Sequence, residues 1–110
     1  MNVERRERIC ALNDQLRKHH RGGRIMLTRG VALRGEHFAA DAINAIRLFD
    51  QFDHANDPYG EHDFGSVTVD GERLFWKIDY YDQSLASSAV DPSIETGCVR
   101  VLTIMLADEY

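Results

Sequence analysis

The side chains best suited to chemistry crowd one short stretch of this 110-residue chain. Between His54 and Asp82 stand two histidines, seven carboxylates and most of the aromatic residues. Imidazole and carboxylate groups are ligands that zinc, manganese or iron accept, so His54, Asp57, Glu61 and His62 form a candidate set for a small metal-dependent hydrolase or nuclease. The spacing speaks against it. No H-E-x-x-H pattern occurs, and the consecutive Glu61, His62 and Asp63 converge only where the backbone bends sharply. A metal-free acid–base site is the second option, with His62 as base, Asp79 or Asp82 orienting it, and Tyr80 or Tyr81 as proton donor. It comes without a nucleophile. G-x-S-x-G is absent, Ser84, Ser87 and Ser88 stand in no motif, and Cys98 precedes an apolar run where it reads as a small packed hydrophobe. Neither a metal nor a cofactor is therefore expected, and catalysis is not the leading reading.

Two further classes are weakened by composition. Cys10 and Cys98 have no C-x-x-C partner, so thiol redox and cysteine-based metal chemistry are not expected, and a reduced, cytoplasmic setting is the simplest expectation. The longest apolar run, Ile104–Ala107, is far short of the roughly 20 residues that span a bilayer. Residues 1–8 carry charges with no apolar segment behind them, unlike a secretory signal. Net charge is −5, but residues 1–35 hold nine Arg or Lys against three acids. That basic segment (Arg5, Arg8, Arg17, Lys18, Arg21, Arg24, Arg29) is the basis of a DNA-binding alternative through the first helix. An acidic chain with its aromatics on the acidic half fits nucleic acid poorly, and a solvated helix surface explains the cluster as well.

The elements that position these residues follow from spacing. Ile9, Leu12 and Leu16 recur at helical period, Asn2 is placed to cap that helix, and Gly22-Gly23 stops it. A short strand is expected over 24–29, then a helix over 36–52 with Phe38, Ala42, Ile46 and Phe49 on one stripe. Asp57-Pro58-Tyr59-Gly60 suits a type I turn. Asp70-Gly71 is a preferred two-residue turn for joining antiparallel strands, so 64–69 and 72–80 read as a hairpin. Its register puts Val69 opposite Glu72, Val67 opposite Leu74 and Gly65 opposite Trp76. Val67, Val69, Leu74, Trp76, Ile78 and Tyr80 then face a core, with the indole over the bare Gly65 backbone. Residues 82–97 form a long connection, of a kind uncommon unless it binds something or moves. Residues 99–107 are apolar on both parities and read as a central strand covered on both faces, with a helix as the other option. The fold expected is a single α+β domain, residues 1–110, with two layers: an antiparallel sheet of about four strands and two helices, in the order α-β-α-β-β-β.

The outward face of the hairpin carries Phe64, Ser66, Thr68, Arg73, Phe75, Lys77, Asp79 and Tyr81. Aromatic residues interleaved with charges have the makeup of protein-binding hot spots. Protein recognition is thus the leading functional reading. Tyr59, Glu61, His62, Phe75, Lys77, Asp79, Tyr81 and Asp82 are the expected contact residues, with another protein as partner, no membrane, and nucleic acid disfavoured.

Five segments resemble an uncharacterised family of small proteobacterial proteins, a domain of unknown function. They are Ile9–Arg17, Gly23–Gly30, Asn56–Gly65 (NDPYGEHDFG), Phe75–Asp82 (FWKIDYYD) and Arg100–Tyr110 (RVLTIMLADEY). The resemblance covers nearly the whole chain and implies no activity and no catalytic residues. It implies a setting on plasmids and other mobile elements. An accessory protein that binds a host defence effector stoichiometrically, of the anti-CRISPR or anti-restriction type, suits that setting, and such an effector would itself bind nucleic acid.

Overall fold

A computed structural model describes residues 3–110; Asn2, the expected cap, lies outside them. The chain runs α1 (Val3–His19), β1 (Gly23–Leu27), α2 (Arg29–Ala32), α3 (Glu36–Leu48), β2 (Phe64–Val69), β3 (Glu72–Tyr81) and β4 (Val99–Leu106), then a 3-10 turn, Ala107–Glu109. The hairpin forms in the expected register, with Gly65, Val67 and Val69 opposite Trp76, Leu74 and Glu72. Asp70 and Gly71 take φ values of 52° and 77°. Two consecutive positive values are what a type I′ turn needs to match strand twist.

The sheet is mixed, not purely antiparallel. Its order is β1-β4-β3-β2, and β1 runs parallel to β4. The helices between β1 and β2 carry the chain back to its starting end, so both strands run the same way. Since β3 opposes both β2 and β4, β4 must run with β1. Among the described residues there are three α-helices rather than two. The strand expected to continue to Arg29 stops at Leu27, because the Thr28 side chain accepts from Val31 N and caps α2. Val31 is fully buried there.

Helix α3 ends at Leu48, four residues short of expectation, and α1 explains why. Phe49 turns extended, with ψ of 132°. The Arg17 Nη1 atom donates to the carbonyl oxygens of Ile46 at 2.9 Å and Phe49 at 2.7 Å. A guanidinium thus satisfies carbonyls that the helix end would leave unpaired. Read from spacing, Arg17 belongs to a solvated basic face; in the fold it is 2% exposed and part of the interior.

All three helices pack on the sheet face that bears Leu74, Trp76, Ile78, Leu102 and Ile104. A Cβ at Gly65 would lie 2.6 Å from the indole nitrogen of Trp76, so only glycine fits beneath that ring. Strand β4 is central, as expected, but covered on one face only. Val99, Val101 and Thr103, of opposite parity, are half-buried, and Met105 alone among them is buried. The 82–98 connection is tied down. Ala89 N donates to Tyr80 O, Arg5 pairs with Asp91 at 3.1 Å, and Arg100 donates to the Pro92 carbonyl. Arg5–Asp91 and Arg34–Glu72 also bring the basic and acidic segments together, so the two poles partly neutralise each other. Among the described residues no helix is long and apolar enough to cross a membrane.

Candidate functional site

Strand parity divides the expected site residues between two places. Phe75, Lys77, Asp79 and Tyr81 share the sheet face that, among the described residues, none of α1, α2 and α3 covers. Phe64 stacks on Phe75, with ring centroids 5.6 Å apart, and Tyr110 leans over both at 5.6 Å and 5.2 Å. The Arg73 guanidinium lies 5.1 Å from the Phe75 ring centre and its Nε donates to Ser66 Oγ. Lys77 and Asp79, two apart on β3, form an ion pair at 3.0 Å, and that bond holds the ammonium pKa up. An aromatic patch with a charged pair beside it can seat an apolar partner surface and fix its orientation. Tyr110 escaped the reading from spacing because only the 3-10 turn after β4 swings it onto this face. Its position beside an aromatic pair has no sequence period to announce it.

The remaining four lie elsewhere. Tyr59 is exposed at the tip of the type I turn, whose Gly60 N donates to Asp57 O at 3.1 Å. The Asp82 carboxylate accepts from the Ser84 amide and hydroxyl, bonds that hold its pKa down and commit it to a local turn. Glu61 and His62 face α1, in the helix layer on the other side of the sheet. Burial first, and then the Asp63 carboxylate, raise the Glu61 pKa.

His62 is held through its backbone, its ring face and both ring nitrogens. Its backbone takes φ of 56°, and its amide donates to Asp57 Oδ1. Its ring stacks on Phe52 with centroids 3.8 Å apart and planes 4° from parallel. Nδ1 lies 3.0 Å and 3.2 Å from the two Asp14 oxygens, and Nε2 lies 3.6 Å from Asp57 Oδ2. Asp14 also accepts from Arg17 Nη2 at 2.9 Å. Burial alone would raise the Asp14 pKa, but the Arg17 and His62 bonds outweigh it and hold the carboxyl low. Cys10 Sγ stands 3.9 Å from Asp14 Oδ2; burial, then the Asp14 and Asp57 charges, push the thiol up to about 11.

The quartet His54, Asp57, Glu61 and His62 does not converge. Three of its members, His54, Asp57 and His62, line one open depression of about 410 Å³ with Phe52 and Asp53, but Asp57 Oδ1 is taken by the Glu61 and His62 amides, and among the described residues the four do not meet as a ligand set. Among the described residues, the metal-ligating side chains that meet are Cys10, Asp14 and His62, with ligand atoms within 4.8 Å of one another. The i, i+4 spacing of Cys10 and Asp14 on one helix face was the available signal. Nor does His62 turn to Asp79 or Asp82 as a base would need: the first is paired with Lys77, the second with Ser84. The basic helix is also unlike an intact phosphate-binding stripe, since Arg17 is interior and Arg5 is paired.

Behind both places sits a polar junction. Asn13, fully buried, donates through Nδ2 to Tyr80 Oη at 2.8 Å and Glu61 O at 3.0 Å, and accepts from Arg100 Nε at 2.9 Å. One amide therefore joins α1, β3, β4 and the turn carrying His62. Burial raises the Tyr80 pKa well beyond its ordinary value, which keeps the phenol protonated while its oxygen accepts from Asn13.

Comparison with known proteins gives one match. The model of a family described as "Protein of unknown function (DUF3768)" matches residues 27–109, which takes in everything from the end of β1 to the 3-10 turn and leaves α1 outside. No curated protein and no solved structure matches the chain.

Proposed function

The chain belongs to the DUF3768 family, whose description assigns no activity, and from that premise we propose that it acts by binding another protein through the uncovered face of its sheet. The observation that carries this reading is the Phe64–Phe75–Tyr110 cluster standing next to the Lys77–Asp79 pair on a face without helices. Burying an aromatic patch of this kind supplies the apolar gain of association, and adjacent charges select orientation. Arg73, exposed and against the Phe75 ring, borders the patch on β3, and Arg24, exposed and of outward parity on β1, lies across β4 from Asp79. The partner surface that complements it has an apolar centre bordered by carboxylates. Tyr59, Glu61, His62 and Asp82 take no part, because they lie off this face.

The narrower role of a mobile-element inhibitor of host defence rests on the resemblance alone. It makes a restriction or CRISPR effector the first partner class to screen.

The test compares capture by the unaltered chain with capture by Phe75→Ala and by Lys77→Ala/Asp79→Ala, using crosslinking in the native host followed by binding measurements on the recovered protein. Phe75→Ala is expected to weaken binding by at least about 2 kcal/mol, as hot-spot aromatics do. The double variant is expected to change its salt dependence. Equal binding by all three, with unchanged circular dichroism and melting, discards this face.

A further inference from the structure

The meeting of Cys10, Asp14 and His62 belongs to neither the proposed docking face nor the core. We propose that these three side chains bind a divalent cation of the zinc class, clipping α1 to the turn that carries His62. Cys10 and Asp14 are one helical turn apart and point the same way. His62 is brought to them by the Asp57–Gly60 turn and held before any ion arrives: Asp57 bonds its amide, and Phe52 stacks on its ring. Ligands locked by such contacts are what a metal site requires.

Distances fit the ion. Bond lengths of about 2.0–2.3 Å in a tetrahedral zinc site put ligand atoms roughly 3.3–3.6 Å apart. Here Nδ1 of His62 is 3.2 Å from Asp14 Oδ2, and Cys10 Sγ is 3.9 Å from the same oxygen. All three ligand atoms lie within 4.8 Å of one another, so closing the cluster on an ion takes side-chain shifts of about an ångström or less. The donor set, one sulfur, one imidazole nitrogen and one carboxylate oxygen, is the mixed borderline-soft type that favours zinc over magnesium or calcium. It leaves a fourth position for water.

The charges ask for a cation. Two acceptor-only carboxylates flank the imidazole, Asp14 at Nδ1 and Asp57 at Nε2. A neutral imidazole has only one N–H, so a lone pair faces a carboxylate unless a proton or a metal lies between. Glu61 and Asp63 add negative charge nearby, and Arg17 on Asp14 Oδ1 is the one cation bonded to the cluster among the described residues. That bond leaves Asp14 Oδ2 free to ligate, and Asp57 in position to orient the metal-bound ring.

The experiment titrates the reduced, metal-free full chain with Zn²⁺ against a chromophoric chelator, and with Co²⁺ as a spectroscopic probe. The expected result is one ion per chain, a higher melting temperature on loading, and a thiolate-to-cobalt charge-transfer band. Cys10→Ser, nearly isosteric, is expected to abolish that band and weaken zinc by at least about tenfold while preserving circular dichroism. Cys98→Ser and His54→Ala are expected to bind as the unaltered chain does. Absence of stoichiometric binding would mean that only a proton bridges His62 and Asp14. Binding that survives Cys10→Ser, or that is lost equally with Cys98→Ser or His54→Ala, would place the ion elsewhere. Either result overturns the site.

Discussion

On the helix-covered face of the sheet Asn13, Arg17 and Arg100 are 0%, 2% and 1% exposed, and each is hydrogen-bonded, with Arg17 Nε alone among their donors buried and unpartnered. On the opposite face Phe64, Phe75 and Tyr110 pack on one another and on Arg73 while staying partly open to solvent. Polar side chains thus build the interior of one layer, and aromatic side chains furnish the surface of the other. The residues that look most like chemistry in the sequence, those around His62, are largely occupied in joining the turn to α1. What remains free for a partner is the outward parity of β3. A polar group that is buried and satisfied specifies the fold, and an aromatic group that is not fully buried is available for association.

That contrast breaks first at Trp76. Trp76→Ala empties the covered face beneath Gly65 and is expected to cost about 3–5 kcal/mol in urea unfolding. A loss under about 1 kcal/mol would mean that the helix layer does not depend on this ring. Next comes Asn13→Ala, which strands Tyr80 Oη and Arg100 Nε in the interior and should cost about 2–3 kcal/mol. The same melt would show little change if water took over both groups.

Phe75→Ala sharpens the comparison from the other side. Half-buried and on the open face, it should cost only about 1 kcal/mol in the isolated protein, even as binding is lost. A cost equal to that of Trp76→Ala would make the outer cluster a second core. The smallest effect is electrostatic, and its sign differs between two carboxylates. Burial, then the Asp57 charge, raise the Asp63 pKa. Its ionised form therefore opposes folding, and that opposition lifts as pH falls through the raised value. Asp63→Asn should stabilise by about 0.5 kcal/mol at neutral pH, with the gain fading in acid. Asp14, held low by Arg17 and His62 against burial, stabilises above the ordinary carboxylate range, and that support is lost as pH falls through its folded value. Asp14→Asn should accordingly destabilise at neutral pH and not in acid. Melting curves of both variants across pH check the two signs together.

Much of the sheet was legible because its signals are local. Asp70-Gly71 dictates the turn, the turn dictates the register, and the register sends Trp76 inward and Lys77 outward. The type I turn at Asp57 and the stripe of α3 are equally short-range. The end of α3 was not legible, since Phe49 and Phe52 suit a helix and only an arginine about thirty positions earlier stops it. The metal-type cluster was missed for the same reason. Cys10 and Asp14 carry a helical spacing, but His62 joins them from 48 residues away, whereas spacing along the chain groups His54, Asp57, Glu61 and His62.

By itself, the order of residues determined the hairpin and its parity, and hence which aromatic residues of the hairpin face outward. Tertiary structure alone decided that β1 runs parallel to β4, that helices cover one face only, that Tyr110 joins the exposed cluster, and that Arg17 is interior. The division has a physical cause. Turn geometry and side-chain period are properties of a few neighbouring residues, whereas strand direction across a crossover, burial of a long charged side chain and the meeting of ligands depend on distant segments folding together.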